Sequence, residues 1–446
     1  MADFIRQTRD VPVTHVCDAA VLGGGPAGLC AAISAARAGL STVLVERLGA
    51  LGGTAAMGHV NPISGFFHKG ERVTGGIAWE LVQRLESMGA AIVEYPKGHV
   101  SFHGETYKLV AQRMTLEAGV QLITNATLSG CMKEGGRITH AIIEGKSGPE
   151  AIAAKCFIDA TGEADLCRLA GAAMMPAEGL QPLSLCFVLE GVDLTSSLMR
   201  DCIHHTGANG SHSVNSVIHE HLNQCVEKGE IEQFGGPWFN TQVQGHTVAV
   251  NVTRRAANAA DRADMTRVEC LLREDMHRIV AILKRDFPEF KDCAIVSSGV
   301  NAGVRETARI LGVDTVTGVD TVTGADMLSG RQWPCPVARC AHPMDIHNAK
   351  SSAQSLQYFE GAALVPHTAL IPRGFDNLLA AGRCVSADAA AYASLRVQAT
   401  VMAIGEAAGL MAAQHVATGK PMAALDAEAL KAQIRNSECV MRNGMS

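Results

Sequence analysis

The sequence predicts a doubly wound α/β fold interrupted by an inserted mixed α+β unit, and three observations carry that expectation. A glycine turn joins a short apolar strand to an alanine-rich helix near the N-terminus. A strand and helix rhythm then runs to about residue 171. It resumes after about residue 366 with a buried strand and a second alanine-rich helix.

From Cys17, CDAAVLGGG reads as a strand ending in a turn, PAGLCAAISAARAGL as a helix closed by Gly39, and STVLVER as the next strand. Helices follow at about Ile77 to Met88 and Tyr107 to Glu117, each closing on a glycine, and VQLIT is the strand after the second. ATLSGCMKEGGRITHAIIEG alternates apolar and polar residues about a Gly-Gly turn, the pattern of antiparallel strands, and KCFIDATGEADL returns to a short buried strand. Beyond Gly171 come separate strands, LSLCFVLEG and HTVAVNVT, and a helix from Thr266 to Arg285. Residues 172–366 are therefore expected to form an inserted substrate domain, with 1–171 and 367–446 as the two parts of the first domain. FDNLLAAGR supplies the late strand and Val397 to His415 the last long helix. The hexapeptide VDTVTG at 313–318 recurs at 319–324; two copies are too few for a solenoid and read as a lengthened hairpin or surface loop.

Of 446 residues, 47% are hydrophobic and 18% charged, enough for a large core, and the formal charge of −6 argues against a broad basic surface for nucleic acid or anionic membrane. The 14 cysteines include no CxxC pair, so no metal site is expected; they read as small buried hydrophobes kept reduced, which points to a cytoplasmic protein. The N-terminus has no apolar h-region, and the most apolar helix carries Glu406, so neither a signal peptide nor a membrane span is expected.

The strongest motif is Gly23-Gly24-Gly25-Pro26-Ala27-Gly28, a GxGxxG between strand and helix. Gly23 permits the turn, Gly25 lets the backbone approach a pyrophosphate, and Gly28 lets helix and strand pack closely. Glu46, closing the second strand, suits the hydroxyls of an adenosine ribose. This much leaves NAD and FAD open.

Other segments resemble the two-dinucleotide-binding-domain flavoproteins. Gly52-Gly53-Thr54 looks like their second glycine pair, Asp159-Ala160-Thr161-Gly162 like their buried ATG segment, and Asn377 to Arg383 like their late strand and turn. The chain is most similar to the FAD-dependent oxidoreductase family, in the branch near fumarate-reductase-type flavoproteins. That likeness rests on Gly303 to Gly312, Met344-Asp345-Ile346-His347, Ala381 to Asp388 and Ser394-Leu395-Arg396-Val397-Gln398, in the family's order from about residue 17 to 415. It departs at Ala308, where arginine is more usual, at Cys335, where an acidic residue is expected, and at Asp388, where histidine is common. The resemblance implies FAD, held by the residues above together with Arg47, Gly382, Arg383, Ser394, Arg396 and Val397. The amides that open the last helix would face the flavin pyrimidine ring.

In the inserted unit Arg254, Arg305, His342 and His347, with His367 just past its end, are the candidates for touching substrate, with Arg305 gripping an anion and a histidine moving a proton. Arg305 and Arg309 are spaced to share a helix face beside Glu306, which makes an ion-pair network the competing expectation; Arg309 is assigned to structure. The expected activity is hydride transfer between flavin and a small, anionic organic molecule. The alternatives are an electron-transfer subunit without its own small substrate and an NAD-dependent dehydrogenase. With one dinucleotide fingerprint, the other electron partner stays open among quinone, redox protein, oxygen and nicotinamide, as does a homo-oligomeric state.

Overall fold

The computed structural model describes residues 5, 8–94, 99–176, 180–200, 216–241, 243, 246–313 and 324–437. The repeated hexapeptide lies outside the described residues apart from its ends, Val313 and Gly324.

The first strand, Val13–Leu22, runs parallel to Thr42–Glu46 on one side and to Gly148–Asp159 on the other, and Thr42–Glu46 pairs in parallel with Gln121–Thr124. Gly148–Asp159 divides its pairing. Its first half runs antiparallel to Arg137–Gly145, and its last residues run parallel to Leu378–Ala380. The central strands are buried on both faces, which is why they read as unbroken apolar runs, whereas Thr127–Glu134 and Arg137–Gly145 form the alternating hairpin. Asn377, fully buried, fastens that hairpin to the sheet: its side chain accepts from the Ile138 N–H at 2.9 Å and donates to the carbonyls of Ile138 and Lys155.

Helix Pro26–Arg37 packs against the long helix Gln398–Thr418 at backbone contact. A Cβ at Gly405 would sit 2.0 Å from the Ala27 carbonyl oxygen, and one at Gly409 2.6 Å from that of Ala31. Ser34 Oγ seals the contact by donating to the Glu406 carbonyl at 2.7 Å. This approach carries the start of the long helix toward the glycine turn.

A second core lies on an antiparallel sheet in the order Phe234–Thr241, Thr247–Thr253, Phe187–Glu190, Ala294–Ser298. Helix Arg262–Asp286 covers it with a stripe of Val268, Leu272, Met276, Ile279 and Leu283, the spacing of one helical face. Asp261 caps that helix by accepting from the Asp264 N–H, so it begins a turn earlier than the sequence suggested. The second core spans Leu183 to Ala302, whereas Cys335, Val337, Cys340, Met344, Ala363 and Val365 pack in the core of the parallel sheet. The chain thus rejoins its first core well before residue 366, because strands Pro336–Cys340 and Ala363–Pro366 bury their apolar residues with the long helix.

The helix expected through Arg305 and Arg309 does not form. Gly303–Arg309 is irregular, with Gly303 bridged to Ser184 and Ile310 to Met174, so backbone pairing with distant segments overrides local helix propensity. The ion pair there joins Glu306 to Arg309 at 3.3 Å and leaves Arg305 out.

Candidate active site

Two adjoining cavities lie where the parallel sheet meets the second core. The first, of about 210 Å³, opens over the glycine turn. Gly23 has φ +106°, and a Cβ there would lie 2.4 Å from the Ala160 carbonyl oxygen; a Cβ at Gly28 would lie 1.8 Å from that of Gly23. Over Gly25 the nearest atom to such a Cβ is Gly53 Cα at 3.9 Å, so the backbone lies open to the cavity. Both Glu46 oxygens are engaged by the chain itself: Oε2 accepts from the Gly24 N–H at 2.7 Å and Oε1 from the Leu48 N–H at 2.8 Å. The carboxylate therefore fixes the turn, and Glu46 lines the cavity with acceptor capacity to spare.

Pro26, Ala27, Arg47, Gly53, Thr54, Ala160, Thr161, Gly162, Gly382 and Arg383 also line this cavity. Asp159 holds the Thr161 turn from beneath, accepting from the Thr161 N–H and hydroxyl and from the Cys167 N–H. Burial pushes its pKa up, and those hydrogen bonds oppose the shift. Arg383 donates to the Val304 carbonyl at 2.6 Å and pairs with Glu163. Among the residues assigned from sequence to the cofactor, Gly28, Gly52, Ser394 and Val397 stand off this lining. Gly52, at φ +111°, donates its N–H to the Gly24 carbonyl and braces the turn, while Ser394 donates to the His342 carbonyl.

The second cavity, of about 250 Å³, shares Thr54, Val304, Arg383, Arg396 and Gln398 with the first. Val397, which precedes the long helix, lines it as well. Bridges Leu183 to Arg255 and Ser184 to Gly303 bring three distant segments side by side, and there Ser184, Arg254 and Arg305 meet. Ser184 Oγ accepts from Arg305 Nη1 at 2.7 Å and from Arg254 Nη1, and donates to the Thr253 carbonyl at 2.7 Å. Arg305 lines the cavity. Arg254 lies one layer behind, 1% exposed, its guanidinium 5.2 Å from the Trp238 ring centre and its Nη2 without a hydrogen-bond partner among the described residues. Among the described residues neither arginine forms an ion pair. Burial, with Arg396 nearby, pushes Arg305 down to about 10, and burial with Arg305 nearby lowers Arg254 further; at 10 Arg305 is still charged at neutral pH.

Across the cavity Asp345 accepts from Gln354 Nε2 at 2.7 Å, lies 3.0 Å from His347 Nε2, and faces Arg396 at 3.5 Å. Burial works to raise the Asp345 pKa, but the hydrogen bond of His347 and the charge of Arg396 hold it well below the usual carboxylate range. Burial and the Arg305 charge push His347 down to about 2, so it is neutral beside Asp345. His342 is lowered too, chiefly by burial. Its Nδ1 lies 2.8 Å from the Pro343 carbonyl, which can only accept, so in the neutral ring Nδ1 carries the hydrogen and Nε2 the lone pair. His367 lines neither cavity; it opens a short turn, its main-chain N–H donating to Cys335.

The sequence left Ser184, Trp238, Asn251, Gln354, Leu356 and Tyr358 unassigned, although all line the second cavity. His221, Cys225 and Asp286, on two helices, bring donor atoms within 4.8 Å of one another, a group that spacing along the chain does not reveal; Arg285 holds both Asp286 oxygens. Among the described residues no helix is long and apolar enough to cross a membrane.

A glycine-turn cleft that runs into a polar cavity has the form of a dinucleotide-cofactor site beside a substrate site. The family model described as FAD dependent oxidoreductase matches residues 18–434, and the chain belongs to that family. It is thus an FAD-dependent enzyme, which sets aside the NAD-dependent alternative. A stretch of 46 residues is 54% identical to dihydrolipoyl dehydrogenase of Trypanosoma brucei brucei, covering 10% of this chain and 10% of that enzyme. Among solved structures, a geranylgeranyl bacteriochlorophyll reductase-like protein of Thermoplasma acidophilum is 13% identical, with 97% of this chain and 94% of that one covered and a TM-score of 0.48. The flavin-dependent brominase Bmp2, as a triple mutant, is 15% identical over 94% of this chain and 84% of its own, at TM-score 0.45.

The geometry of the cleft fits FAD. The turn admits no Cβ at Gly23 or Gly28 yet is open at Gly25, and two buried atoms on residues shared by both cavities, Arg396 Nε and Gln398 Oε1, have no hydrogen-bond partner among the described residues. A polar ring with donors and acceptors would satisfy both.

Proposed function

We propose that this enzyme transfers a hydride between FAD and a small anionic organic molecule held by Arg305. One observation carries the reading: two buried guanidiniums, Arg305 and Arg254, share Ser184 and have no carboxylate partner among the described residues. Buried charge without a counter-ion is costly, and an anion entering the second cavity supplies one. Bound FAD supplies the two-electron chemistry. Ser184 orients the Arg305 fork, which can take a carboxylate or enolate through two hydrogen bonds. Arg254, from behind, adds field rather than contact. His342 offers a lone pair at Nε2 and moves the proton that accompanies hydride transfer. Asp345 fixes Gln354, His347 and Arg396 around the cavity. The motif order from Gly303 to Gln398 also favours the fumarate-reductase-type branch within the family.

The test is anaerobic change of flavin absorbance in the purified protein against organic acids, alcohols and amines, in both directions. Response to one or more acids supports the reading. Response confined to neutral alcohols or cationic amines refutes it, and no response to any small molecule favours the electron-transfer alternative.

A further inference from the structure

The second cavity has a charged end and an apolar end. On strand Gln354–Gln357 and one residue beyond, the side chains lining the cavity are Gln354, Leu356 and Tyr358, alternate positions that share one face of an extended chain. Gln354 pairs with His347 across the hairpin and donates to Asp345, so it belongs to the charged end. Exposure then rises along the row: Gln354 is half-buried, Leu356 is 41% exposed and Tyr358 66% exposed. Trp238 lines the same cavity, edge-on to His347 at 5.8 Å between ring centres, with Val60 and Pro62 also in the wall. Large apolar side chains left wet on the wall of a concave site mark where ligand carbon docks.

We propose that the substrate is an amphipathic monoanion: a carboxylate at Arg305 carrying an extended aromatic or branched apolar body that lies against Trp238, Leu356 and Tyr358. This rests on the reading of Arg305 as the anion site. Gln354 and Tyr358 stand about 13 Å apart along extended chain, so a compact acid fills only the arginine end. The row carries no cation, which disfavours a second carboxylate at its outer end.

The experiment titrates the FAD-loaded protein by calorimetry with propionate, hydrocinnamate and hydrocinnamamide, for the parent and for Leu356→Ser/Tyr358→Ser. Both changed residues are exposed, so the double variant is expected to keep its fold and FAD. Hydrocinnamate should bind the parent at least about tenfold tighter than propionate, in line with the discrimination apolar pockets achieve. The double variant should lose most of that gain while its propionate affinity stays put. Equal affinities for the two acids in the parent, a gain that survives in the variant, or no binding of any probe would overturn the proposal. An amide that binds as well as the acid, with the gain still dependent on Leu356 and Tyr358, would sink the anionic reading and with it the monoanion, leaving only an apolar subsite. Should the variant change its oligomeric state with ligand preference unaltered, the face would belong to a second copy of the chain and the proposal would fall.

Discussion

Replacing Glu46 with alanine should damage the protein before any cofactor is added. Glu46 is 6% exposed, and its carboxylate accepts from Gly24 N–H at 2.7 Å and Leu48 N–H at 2.8 Å, fastening the glycine turn to the end of the second strand. Hydrogen bonds to a charged group are worth about 1.5–3 kcal/mol each, so losing both costs the apoprotein about 4 kcal/mol. A turn that must be re-formed on binding should also weaken FAD by roughly 100-fold. Glu46→Gln keeps one acceptor oxygen and should lose about half as much stability. Denaturant unfolding of the apoprotein and FAD titration by fluorescence, run on all three proteins, measure the two effects separately. An apoprotein as stable as the parent with FAD affinity lost would show that Glu46 acts on the ligand alone. Unchanged stability together with unchanged affinity would refute the geometry of the cleft.

Two titrations follow from buried groups. Burial lifts Glu406 from its ordinary 4.5 to about 7, against a hydrogen bond from the Ile77 N–H. Its folded pKa lies above its unfolded one, so its contribution to stability is full below 4.5 and is lost as pH rises through 7. Glu406→Gln should therefore gain on the parent by about 3 kcal/mol between about pH 5 and pH 8; a constant difference in unfolding midpoint across that range would contradict it. Turnover should need neutral His342, hence fall in acid with a midpoint below the ordinary 6.5, and His342→Gln should slow the chemical step roughly 100-fold and abolish that pH step; a pH profile that survives in the variant would place the proton carrier elsewhere.

The nucleotide fold was legible because its signals are local. Glycine at 28 answers a clash with Gly23 within one turn, glycine at 23 answers the turn's φ of +106°, and the apolar runs around Val43, Ile158 and Leu379 report burial on both faces of their strands. The second cavity was legible only in part. Ser184, Arg254 and Arg305 meet through isolated bridges between segments over a hundred residues apart in places, and no periodicity records such pairing. The same bridges explain why the Arg305 segment is irregular where residue spacing suggested a helix. His367 carried the same local signal as His342 and His347, yet its turn leads away from both cavities. The outer boundary of the inserted unit was obscured because strands Pro336–Cys340 and Ala363–Pro366 look alike in sequence whichever core receives them.

The most direct test of the central claim is Arg305→Lys, with melting temperature, FAD content and the rate of flavin reduction or re-oxidation by the acid found active all read on one preparation. Lysine keeps the charge but loses the fork that binds Ser184, Pro182 and the anion together. The account predicts full FAD, a folded protein whose melting temperature falls only by what the Ser184 and Pro182 hydrogen bonds contribute, because Glu306 pairs with Arg309 instead, and a rate lower by roughly 100-fold. An unchanged rate, whatever the melting temperature, would make Arg305 a structural residue and contradict the account.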